Sequence, residues 1–163
     1  DPAVPVVAKG EVVHAGPWDV VVDRVVYTDE FPTINHAVDG DRWVVAVATI
    51  TNTSGITQPA EEARLDQALT FGPFAGRRDE PVELRLVSDG AIRFELMPGV
   101  PTDVAFFVAH DGALDPPATA EVQVTGWKRA RRFSTGVLAW IDPAPVATLT
   151  SPVTEGRECP ATR

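Results

Sequence analysis

The densest chemical signal in the sequence is a run of cations. Lys128, Arg129, Arg131 and Arg132 place four of the protein's 14 basic residues within five positions, between Trp127 and Phe133. Arginine presents paired N–H donors that match carboxylate or phosphate oxygens, so this run is a candidate patch for an anionic partner. Cations on an edge strand also block edge-to-edge pairing, and edge protection accounts for the run more simply. A second candidate is the set of four tryptophans, Trp18, Trp43, Trp127 and Trp140, which could form a carbohydrate-stacking face. Each lies in or beside a valine-rich segment, however, and that context points to core packing.

Other residue types with catalytic potential do not converge. His14, His36 and His110 are scattered beside turns, and one cysteine excludes a structural zinc set. Asp39-Gly40-Asp41 looks like a fragment of a calcium loop but lacks the alternating oxygen ligands and the closing glutamate. Ser134 lacks the glycine that would open a nucleophile elbow. The adjacent acids Glu61/Glu62 and Asp79/Glu80 would point to opposite faces of a strand rather than flank a scissile bond. The loop from Gly72 to Gly76 has no lysine to meet a phosphate. The expectation is a protein without catalytic machinery, metal or cofactor. Asn52-Thr53-Ser54 is a glycosylation sequon, and Cys159 is a thiol in a polar C-terminal segment.

Composition sets the frame for these residues. At 163 residues, 44% hydrophobic and 23% charged, the chain suits one globular domain with its own core. A net charge of -9 argues against nucleic acid, whose phosphates need a basic footprint. No apolar run approaches the ~20 residues of a membrane-spanning helix. The chain opens on Asp1-Pro2 without an initiator methionine, and a removed export signal or anchor upstream is the expectation.

The positioning elements read as strands. Trp18 to Tyr27 is dominated by valine, whose Cβ branching suits a pleated surface better than a helix. In the segment from Arg42 to Thr53, Trp43, Val45 and Val47 alternate with Val44, Ala46, Ala48 and Ile50, so both faces are apolar. Pro59 to Leu69 offers the sole short helix, with Leu65, Ala68 and Leu69 as its apolar side. Val82 to Val87 and Ala91 to Met97 read as a hairpin about Ser88-Asp89-Gly90. Thr102 to Ala109, Ala120 to Lys128 and Val137 to Ile141 complete the pattern. The expected fold is all-β, an immunoglobulin-like antiparallel β-sandwich of about 7–9 strands spanning residues 1–142, followed by a proline-rich tail at 143–163.

Two motifs carry a family resemblance: Ile50-Thr51-Asn52-Thr53-Ser54, and Leu96-Met97-Pro98-Gly99 leading into Val104-Ala105-Phe106-Phe107-Val108. Their order resembles the telokin-like, immunoglobulin-like extracellular domains of bacteria, a family that includes a small secreted immunogenic antigen. The resemblance spans roughly residues 12 to 142. It implies a secreted or membrane-anchored sandwich and transfers no functional residues. The acidic 59–80 segment and the 128–132 run depart from the family pattern, so a surface particular to this protein is expected at one of them. The resulting expectation is an extracytoplasmic binding domain for a protein or cell-envelope component. Its membrane contact would run only through an anchor outside the chain. The alternative is a small-molecule or lipid carrier with an inter-sheet pocket lined by Phe71, Phe74, Phe106 and Phe107.

Overall fold

The computed structural model describes residues 3–31, 37–131 and 138–156, and only the backbone of residues 131 and 138. Among the described residues ten strands form: β1 (Val12–His14), β2 (Trp18–Thr28), β3 (Asp41–Asn52), β4 (Gln58–Pro59) and β5 (Leu69–Phe71), then β6 (Glu83–Leu86), β7 (Glu95–Leu96), β8 (Pro101–Asp111), β9 (Thr119–Arg131) and β10 (Leu138–Glu155). One layer is built on β1, β2, β3, β8 and β6, and the other on β5, β9 and β10. The fold is the expected β-sandwich.

Alternation explains the core. Val44, Ala46, Ala48 and Ile50 of β3 face inward with Trp18, Val20 and Phe106, against Val122, Val124, Leu149 and Phe71 of the opposing layer. The other face of β3 is also covered: Val45 and Val47 pack with Val26, Phe31, Ala105 and Phe107, and Trp43 borders them. A strand apolar on both faces is therefore buried on both faces, as its sequence implied.

The one short helix expected within Pro59 to Leu69 is a single 3-10 turn at Leu65–Gln67, and Leu65, Ala68 and Leu69 are buried as foreseen. Three expectations are corrected. The chain does turn at Ser88-Asp89-Gly90, with Gly90 N donating to Leu86 O, but no hairpin follows. Instead β6 pairs with β8, and the two residues of β7 pair with β4. The tail reading fails too, because β10 continues through Glu155 and buries Ala147, Leu149 and Ser151. Its prolines misled: Pro143 and Pro145 sit at two register shifts, where a missing N–H breaks no ladder bond. Finally, the sandwich is not wholly antiparallel. One edge of β2 is shared, with β1 at residues 19–21 and a parallel partner, the end of β10, at residues 25–27. Cys159 and His36 lie outside the described residues.

Two buried polar groups fasten loops to this frame. Asn52, at the end of β3, donates from Nδ2 to Ile56 O (2.6 Å) and Leu96 O (2.8 Å). Its Oδ1 accepts from Ser54 N (2.9 Å) and Ser54 Oγ (2.7 Å). Both motifs behind the family resemblance thus meet at one amide, and Gly99 N closes the junction on Asn52 O. With Nδ2 held by two carbonyls, the sequon offers no free acceptor in the folded protein. At the opposite end of β3's neighbours, His110 Nε2 donates to Ala75 O (3.0 Å). Since Nε2 then carries the proton of the neutral ring, Nδ1 accepts from the Tyr27 hydroxyl (2.7 Å). Burial pushes the Tyr27 hydroxyl above its ordinary value of 10.0, with Glu155, Asp111 and Asp41 adding to the rise and Arg42 opposing it.

Replacing Asn52 with Ala should cost about 3 kcal/mol, because it strands the buried Leu96 carbonyl and breaks the junction with Ile56 and Ser54 at once; urea unfolding reads this directly. For Tyr27 the unfolded hydroxyl ionises first, so the raised folded pKa stabilises fully below pH 10.0 and the benefit drains away as pH rises. Wild type should consequently lose stability above about pH 10 more steeply than Tyr27→Phe, which forgoes about 1 kcal/mol of hydrogen bonding at neutral pH. Parallel pH profiles for the two proteins would contradict this assignment.

Candidate functional site

The segment after Asn52 runs to Gln58, whose Nε2 donates to Ser54 Oγ (3.0 Å). The chain then turns, with Ala63 N bonded to Pro59 O and Leu65 N to Ala60 O, and buried Leu65 anchors the turn. This arrangement holds Gln58, Glu62 and Arg64 at the surface beside the start of β2 and the base of the β9–β10 hairpin. Between them lies a crevice of about 330 Å³, lined by Pro17, Trp18, Gln58, Glu62, Ala63 and Arg64 on one side and by Trp127, Ala139 and Trp140 on the other.

Three of the four tryptophans line this one crevice, which the core-packing reading did not foresee. Trp18 is fully buried, and Trp127 meets it edge-on with ring centroids 5.5 Å apart at 78°. Trp127 and Trp140 are half-buried. Trp18 Nε1 is buried without a hydrogen-bond partner among the described residues. Trp43 lies elsewhere, packed edge-on against Phe107 in the other cluster. The core reading therefore holds for Trp18, holds in part for Trp43 and Trp127, which are half-buried against the two clusters, and fails for Trp140.

The cationic run forms the outgoing arm of the same hairpin. Register sets Arg129 opposite Trp140, and the Arg129 guanidinium carbon lies 5.7 Å from the Trp140 ring centroid, a cation–π stack. Lys128 and Arg129 are exposed, and neither has an ion-pair partner among the described residues. Arg131 ends β9 opposite Leu138, and Arg132 lies outside the described residues. β5 and β10 flank β9 at Val122 and Val124, short of the run; from Lys128 to Arg131, among the described residues, β10 alone pairs with it, so the run lies on an edge as expected. Gln58 and Arg64 were not singled out from sequence; Glu62 was, but only as half of an adjacent acid pair.

The remaining polar residues are spread out. His14 bonds Asp19 at the surface (2.7 Å), and His110 is buried in its own network. Arg78 bridges Asp41 (2.9 Å) and Asp111 (3.6 Å), so the Asp39-Gly40-Asp41 loop is held by a guanidinium. Among the described residues no cluster of three or more His, Cys, Asp or Glu is arranged to hold a metal ion. The four phenylalanines suggested for an inter-sheet pocket do not share one. Phe106 faces the inner core and Phe107 the outer cluster, while Phe71 and Phe74 pack into the core from the opposing layer and its loop.

No family model matches the chain, and no curated protein matches it. Among solved structures, an uncharacterized β-sandwich protein from Clostridium difficile 630 aligns with a TM-score of 0.54 at 8% identity, over 92% of this chain and 97% of that one. At that identity the likeness is one of fold. A structure described as "a putative lipoprotein" from Bacillus subtilis gives a TM-score of 0.43 at 12% identity, over 80% of this chain and 38% of that one, too loose to bear on fold or role. Fold and site together define a β-sandwich domain with an aromatic crevice at one end.

Gly16 seats this crevice. It has φ +91°, and a Cβ there would lie 2.5 Å from Trp127 O. Gly10 has nearly the same φ, +89°, with nothing within 4 Å. Gly10→Ala should cost about 1 kcal/mol for backbone strain alone, and Gly16→Ala about 2 kcal/mol or more, because it must also displace Trp127. Denaturant midpoints measure the difference, and tryptophan emission should shift red only in Gly16→Ala.

Proposed function

We propose that this chain is a non-catalytic binding domain that works outside the cytoplasm, secreted or held by an anchor beyond the chain, and engages a protein or cell-envelope component. One observation carries the reading: Glu62, Ala63 and Arg64 of the 59–80 segment line one crevice with the half-buried Trp127 and Trp140, and Arg129 of the cationic run stacks on Trp140. Concave sites with aromatic walls and a few converging polar groups are where proteins hold ligands. The resemblance to telokin-like extracellular domains supports the location. Histidines and acids that do not converge on the crevice support a role without catalysis.

Two measurements test this. Immobilised protein should retain a component of a cell-envelope fraction, Trp140→Ala should lose it, and Val38→Ser, at a remote exposed site, should keep it. Equal retention by all three proteins overturns the crevice as the binding site. Fractionation of cells making the full gene product should place it in the envelope or the medium, and recovery in the cytosol overturns the location.

A further inference from the structure

The crevice suits a particular ligand chemistry. We infer that it binds a sugar ring of an acidic polysaccharide, with Trp140 and Trp127 packing against the ring and Arg129 pairing with its carboxylate. This rests on the binding reading above and names its ligand class.

Three observations converge. First, the C–H face of a pyranose is apolar and flat, and indole is the largest flat apolar surface a side chain offers. Trp140 and Trp127 are both half-buried and both line the crevice, so each presents part of its ring while packing fixes the rest. Second, the opposite wall carries an amide, a carboxylate and a guanidinium, from Gln58, Glu62 and Arg64. Neighbouring sugar hydroxyls act as donors and acceptors together, which this mixed set can serve and a purely cationic one cannot. Third, charge is placed asymmetrically. Arg129 shares a face of β9 with Trp127 and is stacked on Trp140, which orders its guanidinium beside a crevice-lining ring, and it has no ion pair among the described residues. In a protein of net charge -9 this is a local reversal of sign, and it complements a carboxylate.

The volume excludes larger partners from the crevice itself. About 330 Å³ lies at the small end of ligand pockets, enough for a ring and its substituents but not for a folded surface. Nucleic acid is disfavoured by the net charge of -9.

The test is calorimetric titration of the folded chain with an oligogalacturonide and with a neutral cello-oligosaccharide of equal length. The acidic oligomer should bind, more weakly as salt rises, and the neutral one at least about tenfold more weakly. Arg129→Gln, an exposed change, should weaken the acidic oligomer about tenfold and leave the neutral one unaffected. Trp140→Ala should abolish both, with its thermal midpoint reported alongside. Equal binding of the two oligomers, or indifference to Arg129→Gln, overturns the inference. So does absence of oligosaccharide binding when Trp140-dependent retention of the envelope fraction persists and is destroyed by protease, which identifies a protein partner and leaves the binding role standing. Loss of both activities in the wild type overturns both.

Discussion

Asn52 ends the central strand with its amide in four hydrogen bonds, to Ile56 and Leu96 carbonyls and to both polar groups of Ser54. A buried amide left partly unpaired would be a liability; fully paired, it permits one arrangement of the chains around it. Here those chains are the exit of β3 and the short link between β7 and β8. From Ser54 the bonding continues to Gln58, at the crevice wall. The position of the candidate site thus depends on a side chain that does not line it.

The second determinant is the course of β10. It pairs with β9 across twelve positions, shifts register twice near Pro143 and Pro145, and ends alongside β2. Each shift adds twist and lets one strand serve both layers. Gly126 lies opposite these shifts, where a Cβ would meet Val146 Cγ1 at 2.7 Å, so the close approach of the two strands needs a residue without a side chain. The same irregularity precedes the hairpin end that carries Arg129 and Trp140. The strand that closes the sandwich and the arm that flanks the crevice are one continuous element.

Average properties conceal this arrangement. The chain is acidic overall, yet its crevice mixes Glu62 and Arg64 with an exposed Lys128 and Arg129 close by. Trp18 is spent wholly on packing, whereas Trp127 and Trp140 keep part of their surface exposed at the crevice. That division separates a ring that stabilises from a ring available to a ligand.

How much was legible beforehand follows from the range of the forces involved. Period-two alternation through β3 fixed which residues face inward, since side chains of a strand alternate whatever its partners. The valine-rich β2, the hydrophobic β8 and the buried trio Leu65, Ala68 and Leu69 were readable for the same local reason. Strand pairing was not, because β6 with β8 and the end of β10 with β2 join segments far apart in sequence. The prolines of β10 looked like a tail because a proline's lost donor matters only if a neighbour needs it, and register decides that. The cationic run and the acidic segment were each visible in the sequence. That Glu62 and Arg64 of the one line a crevice with three tryptophans, and that Arg129 of the other stacks on Trp140 beside them, was decided by tertiary structure alone, since a hydrogen-bonded amide and a twice-shifted strand brought them together.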